Sequence, residues 1–270
     1  MAKRLRIIDD SAHGPAFNMA ADLYLLDLCA AEPAVFLRFY HWEPPAISIG
    51  YMQDPSTLLN MPALEQAGVW WIRRSTGGRA VLHQKDLTYC VTFSRDLIEM
   101  GRTIHQTYEL LSRCFMQGLL ECGIACSPHD SPIDSRTARR EIKLPCFLAP
   151  NRREIMVDGR KLIGSAQKRT SKGVLQHGSI PLTGAFRNLP QLENISPAEQ
   201  AAHREMLNAK CTCIREIAPS VTRDHLVACL GKGFGAVLNL DPVEGPWSAG
   251  EQEEIAACAR SAAFREQWLS

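Results

Sequence analysis

Short apolar segments before residue 190 predict a β-sheet. They are rich in Val, Ile, Leu and aromatic side chains, which fit the pleated and partly buried surface of a sheet. Asp158-Gly159 separates two of these segments and is a strong hairpin signal, because such pairs accept the positive φ of tight turns. The predicted strands are residues 5–8, 35–40, 46–51, 69–72, 87–93, 154–157, 161–164 and 174–182.

Capping residues and apolar periodicity predict helices around this sheet. Thr103 and Gln106 form a capping box, and an apolar stripe from Ile104 runs on until Gly123 ends the helix. Further capping boxes begin at Ser196 and Ser248, in a part of the chain whose character is mainly helical. Two more helices are predicted at residues 18–30 and 222–238.

These elements predict an α+β fold. The sheet is expected to be mixed and largely antiparallel, flanked by helices, with a short helical extension at the C-terminus. We place a catalytic domain at residues 1–190 and the helical extension at residues 191–270.

Composition narrows the possible roles. The 270 residues are 46% apolar and 22% charged, with a net charge of +1, as in an ordinary globular protein without a nucleic-acid footprint. No segment approaches the ~20 apolar residues that span a bilayer, and the basic N-terminus lacks the apolar run of a signal peptide. We therefore expect a cytoplasmic protein that binds neither membrane nor nucleic acid.

Its ten cysteines show no zinc-type spacing, so we expect free thiols and no metal site.

The most distinctive segment lies between two predicted strands. Arg73 and Arg74 precede Thr76, and Gly77-Gly78 follows before His83. Glycines allow a backbone to approach a ligand closely, and arginines bind anions or carbonyl groups. The segment therefore indicates a ligand-binding loop, and the alternative is a tight hairpin with a charged rim. His83 would order this loop or relay a proton, unless it is only structural.

A second group of chemically active residues surrounds a polar segment. Cys146 lies between two prolines and close to Arg139, Arg140 and Lys143, whose charges would favour a thiolate. Such a thiol suits nucleophilic catalysis, although a buried structural cysteine is the alternative. Lys161 opens a strand that continues into the small residues 164–166, and these would admit a ligand. Lys161 would then face an acyl carbonyl or a phosphate, unless it is an ordinary solvated lysine.

Three motifs occur together in a known order. They are Arg73-Arg74-x-Thr76-Gly77-Gly78-x-Ala80-Val81-x-His83, Lys161-x-x-Gly164-Ser165-Ala166-Gln167 and His177-Gly178-Ser179. Over about residues 5–190 the chain resembles the lipoate–protein ligase and octanoyltransferase family, which is related to biotin protein ligases. The resemblance implies the catalytic fold of that family and the attachment of an octanoyl or lipoyl group to a lysine of a lipoyl carrier protein.

Within the family, the chain is most similar to the cysteine-dependent octanoyltransferases. ATP-dependent ligases usually have a third glycine where this chain has Arg79, and the transferases carry Cys-Phe shortly before Pro, as in Cys146 to Pro150. The transferases usually continue with Ser-x-Tyr-Glu, whereas this chain has Asn-Arg-Arg before Glu154. The resemblance implies Cys146 and Lys161 as catalytic residues. The implied substrate-binding residues are Arg73, Thr76, Gly77, Gly78, His83, Gly164, Ser165 and Ala166.

The transferase interpretation implies octanoyl–acyl carrier protein as the donor, a lipoyl carrier domain as the acceptor, and no cofactor. From strand alternation, the acyl tail is expected in an apolar slot lined by Trp71, Val81 and Ile163. The alternative is an ATP-dependent lipoate or octanoate ligase, which would use free acid, ATP and Mg²⁺ and leave Cys146 without a role. A more distant alternative is a non-catalytic carrier-binding module. The family also favours a monomer.

Overall fold

The computed structural model of the chain describes residues 4–31, 34–94, 103–128, 154–171 and 173–269. The strands of this part are β1 Arg4–His13, β2 Val35–Trp42, β3 Ala46–Ile49, β4 Trp70–Arg73, β5 Val81–His83, β6 Asp86–Phe93, β7 Ser127–Pro128, β8 Ile155–Val157, β9 Arg160–Arg169, β10 Val174–Pro181 and β11 Asp241–Glu244. The helices are α1 Pro15–Ala31, α2 Pro55–Leu58, α3 Met61–Ala67, α4 Ile104–Glu121, a 3₁₀ helix Gly184–Leu192, α5 Pro197–Lys210, α6 Ile214–Ile217, α7 Arg223–Leu238, α8 Ala249–Arg260 and α9 Ala262–Trp268.

The strands form a large sheet and a small one. The order in the large sheet is β11-β1-β2-β6-β10-β9-β8-β7, and in the small sheet it is β4-β3-β5. In the large sheet β1 runs parallel to β2 and β11, and the other pairings are antiparallel. The predicted α+β class with a mixed, largely antiparallel sheet is therefore confirmed.

Helices cover both faces of the central strands. Every residue of β6 is buried, and β2 is buried except for His41. Leu37 and Phe39 point to a core layer shared with α4 and α7, while Phe36 and Tyr40 point to the layer shared with α1 and α8. Because successive side chains of a strand face opposite sides, a strand covered on both faces is mostly apolar, and its few polar residues need buried partners.

The capping signals mark helix starts as predicted. Thr103 accepts from the backbone of Gln106, while the Gln106 side chain accepts from Thr103 N–H, and the boxes at Ser196 and Ser248 have the same reciprocal bonds. The predicted stripe of α4 begins later than expected, since Ile104 is 53% exposed. Leu111, Phe115 and Leu119 form its buried part.

Residues after 190 pack against the same sheet. Helix α7 lies on α4, α8 lies on α1, and β11 pairs with β1. The sequence predicted a mainly helical segment after residue 190 and did not predict β11. This strand contains Pro242 and two exposed acidic residues, which are not typical of strands. An edge strand tolerates proline, since one side of its backbone needs no sheet partner. The boundary at residue 190 stays a prediction. Within the described part of the chain, no helix is long and apolar enough to span a membrane.

Candidate active site

A cavity of about 240 Å³ lies where the two sheets meet. Strands of both sheets, helix α1 and the arginine–glycine loop, which we define as residues 74–80, contribute to its wall. Aromatic and small residues make up much of it, including Tyr40, Trp42, Val81, Gly164 and Ala166. Such a wall suits an apolar ligand with a few polar groups at one point.

The structure brings six of the predicted site residues to this cavity. They are Lys161, Gly78, His83, Gly164, Ser165 and Ala166. Cys146 lies outside the described residues, as do Arg139, Arg140 and Lys143. Of the residues expected along the acyl slot, Val81 lies in the wall, whereas Ile163 is buried in the core beneath β9 and Trp71 packs on the core of the small sheet.

Arg73, Thr76 and Gly77 do not line the cavity. Arg73 turns outward from the end of β4 and donates to the backbone carbonyls of Tyr51 and Gln53. Thr76 is a buried residue of the loop. Gly77 is exposed, and its carbonyl is turned towards Arg74. These three residues therefore support the loop or its rim in this conformation.

Arg74 organises the arginine–glycine loop from inside. Its guanidinium is buried and donates to the carbonyl and hydroxyl of Ser48, at 2.5 and 2.8 Å, and to the carbonyls of Gly77 and Arg79, at 3.1 and 2.9 Å. Because these bonds join β3 to both ends of the glycine pair, they fix the shape of the loop. Nothing in the sequence distinguishes Arg74 from Arg73 in this role.

Glycine is required at two positions, one at the centre of this loop and one beside it. Gly78 has a φ of 94°, which side chains with a Cβ rarely adopt. Gly50, at the end of β3, lies so close that a Cβ there would be 1.9 Å from the Gly78 carbonyl oxygen. Gly50 is a closely packed position that the sequence motifs did not identify.

Lys161 lies in the cavity wall as a buried cation. It is 4% exposed, and its Nζ lies 2.5 Å from Oε1 of Glu154, which also lines the cavity. A buried charge is costly unless it is paired, so Glu154 explains how the ammonium is held there. Glu154 is the one carboxylate among the described lining residues. A single carboxylate that is already paired fits poorly with the oxygen-rich coordination of Mg²⁺.

His83 is oriented by contacts on both ring nitrogens. Its Nδ1 lies 2.8 Å from Asp86, and its Nε2 lies 2.7 Å from the hydroxyl of Ser48. Trp42 stacks on the ring, with centroids 4.3 Å apart. Burial acts to raise the pKa of Asp86, but the interaction with His83 and the hydroxyl donors Ser179 and Thr88 outweigh it and lower that pKa. Asp86 therefore stays ionised and fixes the imidazole.

A second buried network holds the opposite side of the loop. His177 lies on β10, and its Nε2 forms a hydrogen bond with the Thr76 hydroxyl at 2.7 Å. Its Nδ1 lies 2.9 Å from the carboxylate of Asp22 on α1. Arg38, which is fully buried, donates to Asp22 and also to Asp10. Burial is the largest cause that lowers the pKa of His177, so the ring is neutral at pH 7.

His177 connects this network to the site. It lines the cavity and connects α1 and β2 to the loop through Thr76. Asp22 and Arg38 were not identified from sequence. A lone buried arginine within an apolar strand was the available signal, because such a charge requires a partner.

The strand pair on the far wall approaches closely at another glycine. A Cβ on Gly178 would lie 2.1 Å from the carbonyl oxygen of Gly164 and 2.7 Å from the hydroxyl of Tyr89. That hydroxyl in turn bonds to Ser165, at 2.6 Å. The small residues of the second motif thus serve backbone packing as well as access to the cavity.

The described lining of the cavity is mostly uncharged, apart from the cations Arg74, Arg79 and Lys161 and the carboxylate of Glu154. Arg74 is occupied by the loop, whereas Lys161 meets the cavity from β9. Such a site can bury an apolar chain and stabilise negative charge on an oxygen at its polar end. It therefore suits acyl transfer.

Comparisons with known proteins agree with this chemistry. The sequence model of the lipoyl protein ligase A/B catalytic domain matches residues 14–235. The chain is 34% identical over 262 residues to Octanoyltransferase LipM of Lysinibacillus sphaericus (strain C3-41), with 94% of each chain covered. It is 36% identical over 250 residues to Octanoyltransferase LipM of Bacillus subtilis (strain 168), with 88% of each covered.

A solved structure is similar over almost the whole chain. It comes from a study of a bi-partite lipoate protein ligase and its E2 lipoyl domain from Thermoplasma acidophilum, with a TM-score of 0.79. The alignment covers 98% of this chain and 96% of that one at 17% identity, so it establishes a common fold.

Proposed function

Because the chain belongs to the lipoyl protein ligase A/B catalytic-domain family, we propose that it is an octanoyltransferase that modifies a lipoyl carrier domain. The donor is octanoyl–acyl carrier protein, the acceptor is a lysine of the carrier domain, and the octanoyl group passes through a thioester on Cys146. The observation that carries the proposal is the buried Lys161 ammonium in the wall of an otherwise largely uncharged cavity.

The first half-reaction is thioester exchange. The Cys146 thiolate attacks the carbonyl carbon of the donor thioester, and the C–S bond to the carrier's thiol then breaks. The departing thiolate takes up the proton that Cys146 lost, so the exchange is balanced. In the sequence, Cys146 lies eight residues before Glu154, which lines the cavity.

Lys161 and the arginine–glycine loop act on the oxygen. As the thiolate adds, the carbonyl oxygen becomes negative, and a preplaced ammonium stabilises that charge without reorganisation. The backbone of Gly78 borders the same cavity and is a second source of donors. Gly164, Ser165 and Ala166 leave room for the reacting acyl group, and His83 orders the loop side of the wall.

The second half-reaction forms an amide. The acceptor lysine's neutral amine attacks the carbonyl carbon of the Cys146 thioester, the C–S bond breaks, and the proton lost by the amine passes to the departing thiolate. A thioester donor already carries the energy that an amide requires, so the proposed reaction needs neither ATP nor a metal. The octanoyl tail is held by burial, since each CH₂ group contributes about 0.8 kcal/mol.

The remaining assignments follow from this chemistry. A thiolate nucleophile needs a reducing compartment, so we place the enzyme in the cytoplasm. Residues 136–143 carry a cluster of basic side chains outside the described part of the chain, and we assign them to contact with an acidic carrier protein. The enzyme is proposed to act as a monomer.

Intact-mass measurement of a lipoyl domain tests the proposal. One reaction contains octanoyl–acyl carrier protein without ATP, and the other contains free octanoate or lipoate with ATP and Mg²⁺. Acylation in the first reaction, lost in Cys146→Ala but kept in Cys258→Ala, is expected. Cys258 is a suitable control because it is an exposed cysteine on α8, away from the cavity. Acylation confined to the second reaction, and unaffected by Cys146→Ala, would make the chain an ATP-dependent ligase instead.

A further inference from the structure

Three metal-binding side chains converge on the helical face behind the large sheet. Cys122 is the C-cap residue of α4, and His225 and Cys229 lie on α7. The Cys229 sulfur is 3.7 Å from Nε2 of His225, and the ligand atoms of all three residues lie within 4.8 Å of one another. Cys122 and His225 are 103 residues apart in sequence, so motif spacing could not reveal the group.

The helix geometry accounts for the arrangement on α7. Residues four apart project from the same face of a helix, which places His225 directly beside Cys229. His225 is exposed, Cys122 is half-buried and Cys229 is buried, so the group runs from the surface into the groove between the helices. A ligand set with one exposed member leaves access for an ion from solvent.

A close helix crossing fixes the position of Cys122. A Cβ on Gly118 would lie 2.7 Å from the Leu230 Cα, and one on Gly233 would lie 2.3 Å from the backbone nitrogen of Gly118. The two helices therefore touch through their backbones one turn away from Cys122 and Cys229. Contacts this close define the distance between α4 and α7 and hence the distance between the ligands.

We propose that Cys122, His225 and Cys229 bind a Zn²⁺ ion. Zinc prefers thiolate and imidazole ligands at about 2.3 Å and 2.0–2.1 Å in a tetrahedron, whose edges are then about 3.6 Å. The sulfur-to-nitrogen distance of 3.7 Å matches such an edge. Two thiolates balance the charge of Zn²⁺, their two protons pass to solvent, and a water molecule completes the tetrahedron.

The site is separate from the proposed catalytic cavity. None of its three residues is in the described cavity wall. Helices α4 and α7 together cover one face of the large sheet, so an ion that links them would stabilise this layer. The expected effect of zinc is therefore on unfolding and not on the acyl-transfer steps, and the proposal is independent of the proposed function.

Cobalt and zinc titrations of the full chain provide the test. The reduced protein, stripped with EDTA, is titrated with Co²⁺, for which we expect one tight site with intense tetrahedral visible bands and a thiolate charge-transfer band. Zn²⁺ should displace the cobalt and raise Tm. Both His225→Ala and Cys122→Ser should weaken Co²⁺ binding by about tenfold or more, whereas Cys126→Ser and Cys258→Ser should bind as the wild type does.

Several outcomes would overturn the assignment. One is a cobalt spectrum without thiolate bands, and another is a spectrum that His225→Ala leaves unchanged. A third is a Cys122–Cys229 disulfide in protein whose free thiols were alkylated at cell lysis without added reductant. If Cys229→Ser fails to fold, His225→Ala still decides the matter, because His225 is exposed and its side chain is not part of the core.

Discussion

The Thr76 hydroxyl lies 2.7 Å from Nε2 of His177, and this contact joins the arginine–glycine loop to β10 across 101 residues of sequence. His177 in turn bonds to Asp22 through Nδ1. Because Asp22 accepts a hydrogen bond from Nδ1–H of the neutral ring, Nε2 is the acceptor and the Thr76 hydroxyl is the donor. Two consecutive hydrogen bonds, from Thr76 to His177 and from His177 to Asp22, therefore anchor the loop to β10 and α1.

Removal of the Thr76 hydroxyl should loosen the loop without unfolding the protein. We expect Thr76→Val to lower the free energy of unfolding by about 1–3 kcal/mol, because a buried ring nitrogen loses its donor. Octanoyl transfer should fall by about tenfold, since a small displacement of a reacting geometry is costly. Thr76→Ser retains the hydroxyl and should retain most of the activity. Equal rates for the valine and serine variants, measured by intact mass, would contradict this role.

Substitution of two glycines by alanine should affect stability to different extents. Gly50→Ala places a Cβ against the Gly78 carbonyl, and the resulting overpacking should cost about 1–3 kcal/mol of stability and displace the loop. Gly77→Ala meets no atom within 4 Å, so its stability should stay within about 0.5 kcal/mol of the wild type. Urea unfolding of both variants checks the pair, and equal losses of stability would be inconsistent with the loop geometry.

The Lys161 ammonium should act on the chemical step. In Lys161→Met we expect the rate of Cys146 acylation in a single turnover to fall by about 10²–10³-fold, as for loss of an oxyanion donor. The variant also leaves Glu154 without its cation, which destabilises a buried group. The double variant Lys161→Met/Glu154→Gln removes both charges and should recover stability without activity. A folded double variant that acylates Cys146 at the wild-type rate would refute the assignment.

Stability should fall in acid in two separate steps. His177 has a pKa lowered from its ordinary 6.5, mainly by burial and in part by the charge of Arg74, whereas Asp22 acts to raise it. The unfolded chain binds this proton first, so the stabilisation is present above pH 6.5 and is lost as the pH falls below that value. His177→Gln should flatten the first step of a plot of unfolding free energy against pH.

The second step belongs in part to Asp10. Burial acts to raise its pKa, but the bond to His13, the charge of Arg38 and the bond from Trp247 outweigh it and lower the pKa from 3.8 to about 2. Its contribution, of about 2 kcal/mol, is present above pH 3.8 and lost as the pH falls to about 2. A His177→Gln variant with an unchanged slope near pH 6, or an Asp10→Asn variant with an unchanged slope near pH 3, would exclude that residue as the cause.

Local sequence signals predicted those parts of the fold that local physics determines. The capping boxes at Thr103, Ser196 and Ser248 were recognisable because their bonds join residues three apart. The apolar strands were recognisable because burial on both faces leaves them few polar residues. Strand β11 was not predicted, because it forms by pairing with β1, which lies far away in sequence.

The sequence predicted which motifs contribute to the site, but it did not predict how their side chains are oriented or which residues they contact. Lys161 and Gly78 were identified, but the sequence could not say which of two adjacent arginines turns inward, since neighbouring residues point to opposite sides. The contacts of Gly50 with Gly78 and of Asp22 with His177 join distant segments, so they depend on the assembled sheets. The role of Cys146 stays a prediction.

Strand β11 has a consequence for how the protein is made. β1 is synthesised long before one of its two neighbours, residues 241–244. Until those residues leave the ribosome, β1 presents an open edge that can pair with another chain. A nascent chain stalled shortly before residue 241 should therefore be a better substrate for holding chaperones than one stalled after the last strand.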